Sequence, residues 1–148
     1  MENRHLCRGK RTDNGEWVEG FYFCMTHPNG RHTHHFIIPL GTDLSLGTPI
    51  EKIQVEVDPS TICQCTRLRD KNGKLIWEND IVNGSIKRGA AFYGCLVLWN
   101  ECKARFDVRA FGCNFPMTLD ECTDDISMSG FDYEVVGNKF DNPELLEV

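Results

Sequence analysis

The chain has 148 residues, with 22 acidic against 16 basic side chains and a net charge of -6. A chain of this length buries roughly 70% of its unfolded surface, enough for one domain with a real core. The acidic balance argues against non-specific binding to duplex nucleic acid. No apolar run approaches the roughly 18 residues of a membrane span, and Met1-Glu2-Asn3-Arg4 does not begin a secretory signal. These features predict a cytoplasmic protein, so the eight cysteines are expected to be reduced despite their even number.

Residues 4–24 read as a first hairpin, turning at Asp13-Asn14-Gly15 and continuing as a strand from Glu16 to Phe23. Arg4, Arg8, Lys10 and Arg11 form a short basic run, expected to be a solvated strand face. The unbroken aromatic run Phe21-Tyr22-Phe23 predicts burial on both faces. Residues 22–38 form a second hairpin around Asn29-Gly30, with Pro28 placing it at an edge or beyond the sheet. Gly41 to Pro49 reads as a loop, and the alternation from Ile50 to Val57 predicts a half-buried strand. Asp58-Pro59-Ser60-Thr61 is a turn, because Pro fixes φ and Asp bonds the backbone beyond it.

Asn72-Gly73 carries the chemistry of a two-residue type I′ turn. That turn sets Lys71 against Lys74 and Leu68 against Trp77. Asn79 tolerates the left-handed region, so a kink there precedes a strand at Ile81-Val82. Ser85 to Gly89 reads as a turn. Phe92–Trp99 and Ala104–Phe111 read as an antiparallel strand pair. Residues 112–130 carry little pattern beyond one short helical turn between Thr118 and Asp125. Tyr133–Phe140 is the final strand, and Asn142-Pro143-Glu144-Leu145-Leu146 a helix start with Asn at the cap.

Several of these stretches resemble the YopX family, proteins encoded by phages and prophages. The likeness rests on Arg8-Gly9-Lys10-Arg11 with Asp13-Asn14-Gly15-Glu16-Trp17-Val18 and Gly20, and on Val57-Asp58-Pro59. It continues in Asp70 through Val82, including Asn72, Gly73, Glu78 and Asp80, and in Glu134-Val135-Val136-Gly137-Asn138 with Asn142-Pro143-Glu144-Leu145-Leu146. Cys63, Cys65 and Arg67 stand where the family pattern has Gly, an aromatic and Gly, and Asn79 also replaces a Gly. The resemblance implies a mainly β fold with an SH3-like β-barrel core and extra hairpins, and it implies no biochemical activity. The expected organisation is one domain over 1–148, with a hairpin subregion at 1–49, a core at 50–140 and a tail at 141–148.

Four constellations bear on chemistry. With Asn29-Gly30 as the turn, His27, His32 and His34 share one hairpin face, a candidate zinc or nickel set, while Cys24 and His35 share the other. The competing reading is an exposed hairpin tip whose histidines face water or a neighbouring subunit. Cys63 and Cys65, and Cys95, Cys102, Cys113 and Cys122, match no zinc spacing and read as core filler; a Cys–His or Cys–Cys redox pair needs only proximity. Glu78 with Asp80 is the best carboxylate pair, and the acidic run Asp120, Glu121, Asp124 and Asp125 follows later; the bend carboxylates are expected to cap their own backbone. Trp17, Phe21, Tyr22, Phe23, Phe92 and Tyr93 are candidates for stacking single-stranded nucleic acid, although aromatic residues in a small barrel are mostly core. No phosphate loop, nucleophile elbow or HExxH is present.

The reading is therefore a non-enzymatic phage or prophage accessory protein with no cofactor. It acts through protein contacts in the bacterial cytoplasm, as a homo-oligomer or with a phage or host protein. A nucleic-acid-binding module and a His-ligated metalloprotein are the alternatives.

Overall fold

A computed structural model describes residues 5–43, 45, 47–86, 91–110, 117–119 and 131–146. The chain divides into two compact units, Met1–Cys65 and Thr66–Val148. Both are built of antiparallel sheet, so the mainly β expectation holds. Among the described residues neither sheet closes on itself as a barrel.

In the first unit, β1 (Leu6–Lys10), β2 (Trp17–Thr26), β3 (Thr33–Pro39) and β4 (Val55–Glu56) pair as a meander, and the start of β5 (Cys63–Arg69) lies beside β1. The first two hairpins fall where the turn residues placed them. Gly15 takes the left-handed conformation that the first turn requires, with φ at 73°. The second turn differs from the expected type I′. The Gly30 N–H bonds the His27 carbonyl at 2.8 Å, so Pro28 and Asn29 occupy the centre and only Gly30 is left-handed. Proline's fixed φ suits the first central position of a type I turn, and this decides the geometry. The cross-strand register is nevertheless the expected one, with Met25 opposite His34 and Cys24 opposite His35.

The predicted strand from Ile50 to Val57 is mostly not one. Ile50–Ile53 form a helical turn, α1, capped by Pro49 and closed by the Gln54 N–H on the Ile50 carbonyl; only Val55–Glu56 pair as strand. Apolar alternation persists, and Val57 is buried, but the Pro49 carbonyl accepts the Lys52 N–H and so starts a helical turn. Asp58 behaves as read. Its Oδ1 accepts from the Ser60 N–H and hydroxyl at 2.9 and 2.7 Å, opening a 3-10 turn over Pro59–Thr61. The buried residues of this unit are few: Leu6, Phe36, Ile37, Val57, Cys63 and Cys65 lead them.

The second unit holds a five-stranded sheet in the order β10-β9-β8-β7-β11. Its strands are β7 (Asp80–Ile86), β8 (Ala91–Asn100), β9 (Arg105–Arg109), β10 (Met117–Thr118) and β11 (Phe131–Asn138), preceded by β6 (Leu75–Trp77). Ile76, Val82, Cys95, Val97, Val108, Leu119 and Tyr133 form one contiguous buried cluster, with Leu68, Phe92, Phe106, Ala110 and Val135 packed against it. Three expectations change here. Ser85 is strand paired with Asp132, not turn, and the rest of the expected turn, at 87–89, lies outside the described residues. Thr118 pairs with Asp107 as strand instead of opening a helical turn, and the remainder of that stretch is outside the described residues. The C-terminal turn Pro143–Leu146 is 3-10, and Asn142 turns its Oδ1 back to the Asn138 N–H at 3.4 Å. A Cβ on Gly137 would press on the Asn142 side chain, so a larger residue there would displace that turn-closing amide.

The Asn72-Gly73 hairpin is also rebuilt. The pairing closes at Asp70 with Lys74, whose carbonyl accepts the Asp70 N–H at 2.8 Å, one residue away from the Lys71–Lys74 pairing expected. Gly73 alone is left-handed, at φ 80°, and bonds the Asp70 carbonyl at 2.9 Å. This is a type I turn followed by a left-handed glycine, a three-residue loop. The Asp70 carboxylate selects it, because its Oδ1 accepts from both the Asn72 and Lys74 N–H groups at 2.9 Å. Asn79 is left-handed at φ 67°, as expected, and its N–H bonds the Val97 carbonyl.

Candidate interaction surface

The β2–β3 hairpin outgrows its sheet. β1 begins opposite Phe21, so among the described residues Tyr22–Thr26 pair only with β3. Cross-strand partners share a face and neighbours alternate. One face therefore carries Phe21, Phe23 and Met25 with Ile38, Phe36 and His34; the other carries Tyr22, Cys24 and Thr26 with Ile37, His35 and Thr33. Phe23 stacks on Phe36 at 5.4 Å and His34 on Phe36 at 6.2 Å. His34 Nδ1 meets Glu56 Oε1 of β4 at 3.0 Å, a carboxylate that sequence spacing did not bring near it.

The expectation that Phe21-Tyr22-Phe23 is buried on both faces is overturned. Phe21 is 49%, Tyr22 36% and Met25 48% exposed. A continuous aromatic run reads as core only if layers cover both sides, and outside the sheet none does so among the described residues. Large apolar side chains exposed together on one face mark a contact surface more often than they mark nothing. In the second unit Tyr93 is 71% and Trp99 37% exposed, so aromatic residues outside the core are not confined to the hairpin.

The candidate metal set is not assembled. The His27 ring accepts from the Asn29 N–H at 3.4 Å, and His34 is paired with Glu56. Among the described residues no three His, Cys, Asp or Glu side chains come close enough to hold a metal ion. The N-terminal basic run is not a solvated face throughout. Arg8 is buried with its guanidinium 4.6 Å from the Trp17 ring centre, Lys10 lies over the same ring at 5.4 Å, and Arg11 pairs with Asp13 at 2.7 Å. Arg4 lies outside the described residues. The cysteines split: Cys63, Cys65 and Cys95 are buried, as core filler would be, whereas Cys24 and Cys102 are exposed and Cys7 is half-buried. Cys113 and Cys122 lie outside the described residues, as do Asp120, Glu121, Asp124 and Asp125.

The buried carboxylates are structural. Asp80 is 1% exposed and accepts the Trp77 N–H at 2.9 Å, holding the bend at Asn79. Glu78 is half-buried at the same bend. Asp70 adds a third acceptor role through Oδ2, which takes the Val135 N–H of β11 at 3.0 Å, while the Lys71 N–H bonds the Tyr133 carbonyl and its ammonium meets Glu134 at 2.9 Å. Burial pushes the Asp70 carboxyl up. The backbone donors of Val135, Lys74 and Asn72, with the Lys74 charge, outweigh that and hold it below the usual carboxylate value. The hairpin tip thus occupies polar groups along the outer edge of β11, which blunts that edge against further pairing.

Sequence reasoning missed Asp107. It is 3% exposed in β9, where simple alternation made it solvent-facing, and it accepts from Asn100 Nδ2 at 2.6 Å and Arg105 Nε at 2.8 Å. It lines a cavity of about 230 Å³ with Leu98, Trp99, Asn100, Glu101 and Arg109. That is below the roughly 300 Å³ at which small-molecule clefts begin. Its carboxylate is already engaged by its neighbours. A carboxylate flanked by Arg and Asn two and seven residues away was the signal available.

No helix among the described residues is long and apolar enough to cross a membrane. The family model described as YopX protein matches residues 8–147. A search of curated proteins gave no match.

Proposed function

The chain belongs to the YopX family, and we propose that it acts by protein–protein contact through the β2–β3 hairpin, joining copies of itself into a homo-oligomer. The exposure of Phe21 and Met25 on one face of a hairpin that outruns its sheet carries this reading. A second copy is the occupant the geometry favours. The outer half of β2 pairs on one side only among the described residues, and two such edges meeting antiparallel about a two-fold axis are self-complementary. In the same reading the protein is a non-enzymatic phage or prophage accessory factor of the bacterial cytoplasm. Its second unit is an SH3-like core, whose coiling is supported by irregular register at Val82–Gly84 and Val135–Gly137.

Light scattering across a concentration series tests it. A multimer that dissociates when Phe21 and Met25 become serine supports the reading, and a strict monomer at every concentration ends it. Exposed Phe21, Tyr22 and Tyr93 also offer rings on which single-stranded nucleic acid would stack. A salt-dependent change in tyrosine or tryptophan fluorescence with single-stranded DNA or RNA would favour that function instead.

A further inference from the structure

The backbone of the β2–β3 hairpin restricts how a second copy can meet it. Just past β3 the Leu40 N–H bonds the Glu19 carbonyl at 2.9 Å, and at the tip the His27 N–H bonds the His32 carbonyl at 2.8 Å. The register between these points is unbroken, and bonded and non-bonded pairs alternate along an antiparallel ladder. Phe21, Phe23 and Met25 therefore turn their N–H and C=O groups to β3, while those of Gly20, Tyr22, Cys24 and Thr26 point the other way. Pro39 fits this phase, because it stands opposite Gly20, where β3 needs no donor. On the outward side β1 takes Gly20, opposite Cys7, and ends at Leu6. Tyr22, Cys24 and Thr26 are all exposed, and among the described residues no strand lies beside their outward N–H and C=O groups.

Only one register lets a second copy take all of these groups. A bonded pair needs an outward-facing residue from each strand, and the two residues exchange both of their hydrogen bonds. With a two-fold axis at Cys24, Cys24 meets Cys24 of the second copy and Tyr22 meets Thr26 on either side, so every outward group is used. An axis at Phe23 would set Thr26 against Gly20, which β1 already holds. An axis at Met25 would set Tyr22 against Pro28, which has no N–H. The side chains suit the Cys24-centred register. On the apolar face each Met25, 48% exposed, falls opposite Phe23 of the second copy, a thioether against an aromatic ring. Tyr22 to Thr26 carries no charge to repel its like. It also lacks the lysine, proline or bulge that blunts a free edge.

We infer that two copies join β2 to β2 in an antiparallel register centred on Cys24, so that one sheet runs on from the first unit of each copy into that of the other. The inference rests on the homo-oligomer reading and adds to it the edge, the register and the number of copies. A two-fold contact uses each edge once and admits no third copy, so the assembly is a dimer. The shared edge is short, Tyr22 to Thr26, so the dimer forms in a concentration-dependent way.

Amide hydrogen exchange on the full-length chain, followed residue by residue by NMR, tests the register. A dilute sample is compared with a concentrated one in which light scattering shows association. The Tyr22, Cys24 and Thr26 N–H groups should slow by at least about tenfold on concentration. Those of Phe23 and Met25, bonded to β3 in either state, should change less. Cys24→Pro separates the edge from the hairpin, because it deletes an outward donor and leaves the ladder to β3 intact. It should stay monomeric where the wild type and Cys24→Val are dimers, with circular dichroism matching theirs. If the proline variant does not fold, the wild-type exchange decides alone. Three amides indifferent to concentration, in a protein that associates and that the Phe21→Ser, Met25→Ser double variant dissociates, overturn the register and leave the apolar-face reading standing. A folded Cys24→Pro that still dimerises, or a wild-type trimer, overturns the inference as well. A wild-type monomer at every concentration ends both readings.

Discussion

The two units spend their apolar residues differently. The second concentrates them: one cluster from Ile76 to Tyr133 is fully enclosed, and three buried carboxylates, Asp70, Asp80 and Asp107, each find donors within it. The first disperses them, with a thin set around Leu6, Ile37 and Val57 and with Phe21, Tyr22 and Met25 left to solvent. Hydrophobic burial stabilises in proportion to area removed from water. The second unit therefore draws more of its stability from enclosed apolar area than the first does, and the first leaves Phe21 and Met25 of one hairpin face exposed. A small chain that commits apolar area to an exposed hairpin forgoes the stability that area would give.

Ile76→Ala, at a fully buried position, should destabilise by about 3 kcal/mol, read as a lowered denaturant midpoint, whereas Phe21→Ala should change stability by less than about 0.5 kcal/mol. If Phe21→Ala costs as much, the hairpin is core and the contrast fails. Asp70→Asn comes next, at about 3 kcal/mol or slightly less, because the amide keeps one acceptor oxygen where the carboxylate used two against three backbone donors.

The Asp70 substitution also has a signature in acid. The folded-state value of Asp70 is depressed, so its stabilisation is fully present above the ordinary carboxylate range and is lost as pH falls through that depressed value. Wild type should lose stability steeply below about pH 4, and Asp70→Asn should lose less over the same interval. Equal acid slopes in chemical unfolding at pH 7 and pH 3 would remove Asp70 from that role. Smaller effects are expected at two left-handed residues, Arg67 and Asn79. Arg67 sits at φ 67°, which costs a side-chain-bearing residue about 1 kcal/mol, so glycine should raise stability by about 0.5–1 kcal/mol, read as a higher denaturant midpoint. Asn79→Gly, also at φ 67°, should gain less, because asparagine tolerates this region.

Those last two residues show what was legible in the chain. Arg67 and Asn79 stand where the family resemblance places glycine, and both prove left-handed, so the backbone kept a conformation that its side chains no longer favour. Turn positions and strand order in the hairpins were readable, since glycine and asparagine mark them locally. Turn type was not. At Pro28 and at Asp70, a proline's fixed φ and a carboxylate's reach decided between loops that share the same Asn-Gly pair.

The helical turn at Ile50–Ile53 hid behind apolar alternation, because periodicity over a few residues does not distinguish the two structures. The candidate site was half legible. The register that set Cys24 against His35 came from the turn, but the exposure of the aromatic run depended on how many layers cover the hairpin. The burial of Asp107 required knowing that Asn100 of β8 and Arg105 close over its carboxylate, which alternation along β9 does not encode.

The most direct test of display through the hairpin is native mass spectrometry on tag-free protein purified without chelators, comparing wild type with the Phe21→Ser, Met25→Ser double variant. The wild type should fly as a bare homo-oligomer and the double variant as a monomer whose circular dichroism matches the wild type, with a midpoint no lower than loss of association accounts for. A wild-type monomer, or an oligomer that the double substitution leaves intact, would contradict a role for this face. A mass increment of one metal ion per chain would transfer the function to the histidines of the hairpin instead.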